Sequence, residues 1–239
     1  MRHAIEIKFG DSTNINANSA IEQVVRVVKE SEKTNELKKV LQLINPSGTP
    51  EGQPKTIIFV SRKKECDNLG NEMWNAGFSV ESLHGDKEQS QRTKIMDMFK
   101  KSRIRVLVAT DIAARGLDVK DVEVVINFDF PGAANGVEDY VHRIGRTGRA
   151  GAMGRSFTLF TAENSKNANQ LIGVLERARQ KVPDELLQLD KGVLVETEPK
   201  RSAWGGNADF KGRGRGSDKG RGSDRGRGGG RGRGGGRGR

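Results

Sequence analysis

Between residues 55 and 180 the sequence switches repeatedly between two periods, and this alternation limits the fold more than any other feature. Short apolar runs of β-formers occur at "KTIIFV" (55–60), "SVESLHG" (79–85), "RVLVATD" (105–111), "VEVVINFD" (122–129) and "RSFTLF" (155–160). Segments with helical spacing lie between or after them, at "KKECDNLGNEMWNAG" (63–77), "KEQSQRTKIMDMFKKS" (87–102), Val137–Ile144 and "NSKNANQLIGVLERARQ" (164–180). Strands that alternate with helices predict an α/β fold, with a mainly parallel sheet covered by helices on both faces. In such sheets ligands collect at the carboxyl ends of the strands. Upstream, a β-branched run followed by an amphipathic helix near Glu32–Leu43 leads into a Pro- and Gly-rich loop, "INPSGTPEGQPK" (44–55).

The pattern divides the chain. Residues 1–19 read as a polar N-terminal arm, 20–182 as the packed domain and 183–199 as a linker. Residues 200–239 contain 13 of the 42 Lys and Arg but only 3 of the 31 Asp and Glu. That segment therefore carries +10 of the +11 net charge, and the block RGRGGG occurs in it twice. It cannot bury enough apolar surface to offset chain entropy and is expected to be a disordered tail. Arginine pairs with phosphates and stacks on bases, so an RGG-type tail is expected to bind single-stranded nucleic acid with little sequence preference. A solubilising linker is the alternative.

Several classes of chemistry fit poorly. A single cysteine, Cys66, rules out a disulfide framework or a cysteine metal cage within the chain. His3, His84 and His142 lie far apart without ligand spacing, so no metal site is expected. No stretch approaches the ~20 apolar residues of a membrane span, and the start shows no secretory signal. A reducing intracellular compartment fits best. Cys66 and Trp74, on the helix after the first apolar run, are expected to be packing residues.

Two stretches carry candidate chemistry. In "VLVATDIAARGLDV", Thr110 and Asp111 fall at a strand's carboxyl end, Gly116 permits a tight approach, and Asp118 follows. A strand-tip hydroxyl can bond a phosphate and a carboxylate can accept from ribose hydroxyls; turn capping is the simpler reading of either residue alone. In "DYVHRIGRTGRAG" (139–151), Arg143, Arg146 and Arg149 recur every third residue. Arg143 and Arg146 would share a helix face, the glycines end that helix, and Arg149 projects from the following turn. Close guanidinium groups repel unless an anion lies between them, and a polyphosphate matches their forks. A surface helix paired with distant acids is the alternative.

These stretches, in this order, resemble motifs V and VI of the DEAD-box RNA helicases. "TIIFVSRKKECDNL" resembles their motif IV, and "HGDKEQSQRTKIMDMF" the adjoining motif IVa. Order and spacing agree over roughly Asn18–Gln180, with the p68/Dbp2 branch the nearest match. One departure is "FPGAANGVEDYVHR", a few residues longer than the family's usual link into motif VI.

The resemblance implies a RecA-like domain of the P-loop NTPase type, the second of a two-domain ATP-dependent motor. It implies that Arg149 is the arginine finger on the γ-phosphate of ATP, that Arg146 assists, and that Gly116 and Asp118 contribute to the nucleotide site with Asp118 on the ribose. His142, Arg143 and Asp111 would couple that site to RNA or hold the interface or the motif's own shape. Arg62, Gly85, Gln89, Arg92 and Thr110 would hold the RNA backbone; without the resemblance, Gln89 and Arg92 read as a solvated helix face. The family's first domain supplies the P-loop lysine and the acid that positions Mg²⁺, and the sequence contains no GxxxxGK[ST]. ATP and Mg²⁺ are therefore expected to need a partner RecA-like domain. The chain alone, as half of a longer helicase or a truncated product, is expected to be inactive. RNA is the expected partner, with ribonucleoprotein proteins also open, and the branch implies a nuclear location with the cytoplasm as alternative. The rival reading is an ATP-independent RNA-binding or annealing module acting through the tail.

Overall fold

The structure, a computed structural model, describes residues 16–114, 119, 121–132 and 135–193. Gly116, Asp118, the 1–15 part of the N-terminal arm and the basic 200–239 segment lie outside the described residues.

The chain enters the domain through β1 (Ile21–Val27) and a 3-10 turn, Glu30–Glu32, and continues as α1 (Lys33–Ile44), β2 (Thr56–Phe59), α2 (Lys63–Asn75) and β3 (Val80–Leu83). It proceeds through α3 (Gln89–Lys100), β4 (Val106–Ala109), the single turn α4 (Asp111–Ala114), β5 (Val124–Asn127) and α5 (Gly136–Ile144). It then forms β6 (Gly154–Phe160), a second 3-10 turn, Ala162–Asn167, α6 (Ala168–Arg177) and α7 (Asp184–Asp190). Among the described residues six strands form one parallel sheet, in the order β1-β6-β5-β2-β4-β3. This is the mainly parallel α/β sheet that the alternation predicts.

Period-2 alternation within the strands separates the two faces. In β2, Ile58 and the following Val60 pack with Leu37, Val40 and Leu41 of α1 and Cys66, Leu69 and Met73 of α2. Ile57 and Phe59 point the other way, to Ile95 and Phe99 of α3 and Ala113 and Ala114 of α4. Over β1 and β6 a further apolar cluster joins Val137, Tyr140 and Ile144 of α5 to Leu171 and Leu175 of α6.

Two expectations change. Trp74 is not a packing residue: it is 64% exposed, because the apolar positions of α2 recur at Cys66, Leu69, Gly70 and Met73 and leave 74 on the solvent side. The segment expected as linker from 183 begins with α7, whose Leu186 and Leu189 are buried in the α5–α6 cluster. Proline at 183 and acids at 184 and 185 suit the start of a helix.

Candidate functional site

The carboxyl ends of β2, β4 and β5 are adjacent in the sheet, so the residues after each strand meet: Ser61 after β2, Thr110 and Asp111 after β4, Phe128–Phe130 after β5. Arg143, in the last turn of α5, is inserted among them and is only 3% exposed. Its Nε and Nη2 donate to the two Asp111 carboxylate oxygens, each at 2.6 Å. Nη1 donates to the Asp129 carbonyl at 2.5 Å and approaches Asn127 Oδ1 at 3.5 Å. The guanidinium lies 5.1 Å from the centroid of the Phe59 ring. Planarity, five donors and weak hydration suit arginine to such a buried fork.

Helix α5 ends at Ile144, with Gly145 as its cap, which separates the other two arginines from Arg143. Arg146 lines an open cleft with His142, Asp139, Asp111 and Phe59. Burial, and then the neighbouring Arg149 charge, lower the Arg146 pKa. Arg149 follows the turn, and its Nε donates to the Gly145 carbonyl at 2.8 Å. Among the described residues no carboxylate is ion-paired with Arg146 or Arg149. Of the three arginines of this stretch, one is thus neutralised inside the domain, and the other two have no ion-paired carboxylate among the described residues.

The strand-end turns on the β4–β3 side carry the other candidates. Thr110 is buried and its N–H donates to the Leu83 carbonyl. Arg62 is exposed at the start of α2. Gly85 is exposed after β3, and a Cβ there would approach nothing closer than Lys63 Cε at 4.0 Å. Gln89 and Arg92 share a face of α3, with Arg92 Nη1 3.4 Å from Gln89 Oε1. Among the described residues no group of three or more His, Cys, Asp or Glu could hold a metal ion, and no helix is long and apolar enough to cross a membrane.

Sequence reasoning missed a second buried ionic knot. Lys33, at the start of α1, pairs with the Asp129 carboxylate and, at 3.0 Å, with Glu30. The other Asp129 oxygen accepts the Ser61 N–H at 2.7 Å. Glu65 lies beside it, its carboxyl pushed up by burial and by Asp129. Asp129 therefore ties the β2 turn through its side chain and Arg143 through its carbonyl. The available signal was a lysine at a helix start and an aspartate at the end of an apolar run, 96 residues apart.

Residues 32–151 match the family described as "Helicase conserved C-terminal domain". The chain is 43% identical over 216 residues to DEAD-box ATP-dependent RNA helicase 14 of Arabidopsis thaliana, covering 89% of this chain and 32% of the relative. It thus spans about a third of the length of that relative. Among solved structures it resembles the RNA helicase Prp28 from Chaetomium thermophilum bound to ADP, with TM-score 0.61 and 35% identity over 71% of this chain and 40% of that one. It also resembles Dbp5 of S. cerevisiae bound to RNA and ADP BeF3, with TM-score 0.60 and 29% identity over 77% of this chain and 46% of that one.

Proposed function

The chain belongs to the DEAD-box RNA helicases, whose conserved C-terminal domain it carries, and from that premise we propose that it is the second RecA-like half of an ATP-dependent RNA-remodelling motor. The observation that carries this reading is the contrast within one stretch: Arg143 is neutralised by Asp111, while Arg146 and Arg149 are not paired with any described carboxylate. Two close guanidinium groups fit the oxygens of a terminal phosphate.

Arg149 acts as the arginine finger, with Arg146 beside it. Bound ATP supplies the phosphoanhydride bond, and charge placed on its transferring phosphoryl group is worth ~10³–10⁵ in rate. Asp118 and Gly116 belong to the same nucleotide site. Mg²⁺ and the P-loop lysine come from a companion RecA-like domain, since none of the 239 residues form a GxxxxGK[ST] motif. Arg62, Gly85, Gln89, Arg92 and Thr110 hold an RNA sugar–phosphate backbone along the ends of β2, β4 and β3, which gives weak sequence selectivity. The unfilled space over Gly85 supports this reading, because packing within the domain does not require a glycine there. Closure of the two domains on ATP bends one RNA strand away from its partner, and hydrolysis reopens them. His142 couples the two sites, Asp111 and Arg143 holding its helix in place.

The test is complementation. RNA-stimulated phosphate release should appear when the chain is mixed with a separately purified first RecA-like domain of a DEAD-box protein, and Arg149→Ala should abolish it. Release that is indifferent to Arg149→Ala would overturn the assignment.

A second reading draws on the +10 charge of residues 200–239: ATP-independent RNA binding or annealing through that segment. Such binding should weaken with salt by about −0.7 in log–log slope per phosphate neutralised. It should disappear on deletion of 200–239 and ignore nucleotide.

A further inference from the structure

The turn that presents Gly85 is gripped from behind by α2. His84 is 6% exposed and turned inward, and its Nε2 lies 2.9 Å from Asp67 Oδ2. The Asp86 N–H donates to His84 Nδ1 at 3.3 Å. A backbone donor on Nδ1 needs a lone pair there, so the neutral ring must carry its proton on Nε2, where Asp67 accepts it. Asp67 is fixed in turn: Oδ1 accepts the Ser82 hydroxyl at 2.6 Å, and Lys87 Nζ lies 3.4 Å away. Burial pushes the Asp67 carboxyl up, but Ser82, Lys87 and His84 outweigh that and hold it below its ordinary value. On the outer side Lys63 Nζ holds the Asp86 carboxylate at 2.5 Å. A histidine that only filled space would not need both ring nitrogens engaged, one by a neighbouring helix and one by the turn itself.

We propose that His84 and Asp67 are positioning residues for RNA: the imidazole, its tautomer set by Asp67, fixes the Gly85–Asp86 peptide so that an RNA backbone can approach at Gly85 beside Gln89 and Arg92. This rests on the RNA reading of those three residues. His84 and Asp67 act through the turn and do not themselves touch RNA.

Two amides separate the roles of the ring. Asparagine places its amide where Nδ1 stands and can still accept the Asp86 N–H. Glutamine reaches the Nε2 position and keeps Asp67, but leaves that N–H without its acceptor. The experiment uses the ¹⁵N-labelled full chain with a ten-nucleotide oligouridylate. Amide shifts at Gly85 report this site alone, whatever residues 200–239 bind. Long-range ¹H–¹⁵N spectra of wild type should show the Nε2–H tautomer at His84. His84→Asn should keep the Asp86 amide resonance in place and Gly85-site affinity within about twofold. His84→Gln and His84→Ala should shift that resonance and weaken the site about fivefold, the size of one hydrogen bond. An Nδ1–H tautomer in wild type would overturn the proposal even if the alanine variant fails to fold. So would unchanged binding by His84→Gln when Arg92→Ala weakens the site, with the RNA reading left standing. If RNA moves no amide at Gly85 and Arg92→Ala changes nothing, the RNA reading falls, and this inference falls with it.

Discussion

Arg143 grips Asp111 with two parallel hydrogen bonds of 2.6 Å across 32 residues of sequence, and so joins the end of α5 to the end of β4. The pair lies at the edge of the cleft that Arg146 and His142 also line. Removing Arg143 leaves the half-buried Asp111 carboxylate without its partner and the Asp129 carbonyl without its donor. Arg143→Ala should therefore cost about 3 kcal/mol of folding stability. Arg143→Lys should recover little, since an ammonium cannot make the fork. Urea midpoints at unchanged slope measure both.

Arg149 should behave in the opposite way. It is half-buried, unpaired with any described carboxylate and next to another positive charge. Arg149→Ala should leave stability within about 0.5 kcal/mol. The same variant should lose the rise in Tm that inorganic tripolyphosphate gives the wild-type chain through mass action. Both chains keep the same basic 200–239 segment, so their difference isolates the arginine pair.

Gly148 follows Thr147 in the turn between Arg146 and Arg149 with φ +65°, and a Cβ there would lie 2.6 Å from Cγ1 of the buried Ile21. Gly148→Ala meets both a left-handed backbone penalty and a clash between the arginine turn and β1. The expected cost is about 2–4 kcal/mol, read as a fall in the urea midpoint.

The carboxyl groups set opposing pH trends. Burial alone would raise Glu36, but hydrogen bonds from Lys39 and Arg26 hold it below its ordinary value. Its folded pKa lies below its unfolded one, so its contribution is complete above the usual carboxylate range of about 4. That contribution is lost as pH falls through the folded value. Glu65 is the reverse: burial first, then Asp129, raise it. The unfolded chain ionises it more easily, so it costs stability as pH rises from the ordinary range through the raised value. Glu65→Gln should therefore stabilise the chain at pH 7 and lose that advantage at pH 4, whereas Glu36→Gln should destabilise at pH 7. Urea titrations at the two pH values decide both.

Period alone made most of the sheet legible. Isoleucines 57 and 58 sit in one apolar run yet face opposite layers, as a strand buried on both faces requires. The arginine stretch was legible as a motif, but its division of labour was not. Arg143 differs from Arg146 only because Asp111 and the Asp129 carbonyl arrive from two other strand ends. Asp129 and Lys33 were marked only by their places at element ends, and Asp67 by nothing local, because each is a common surface residue type until the fold brings its partner from 17 to 96 residues away. Trp74 is a different case: the apolar phase of its own helix, at Cys66, Leu69, Gly70 and Met73, already leaves position 74 on the solvent side.

The Arg146–Arg149 pair is proposed to serve a phosphate whose cradle lies in another domain. Steady-state phosphate release from ATP and Mg²⁺ by the purified 239-residue chain, with and without single-stranded RNA, tests it most directly. Release at the buffer blank is expected in both conditions. RNA-stimulated release by the chain alone, abolished by Arg149→Ala, would contradict it.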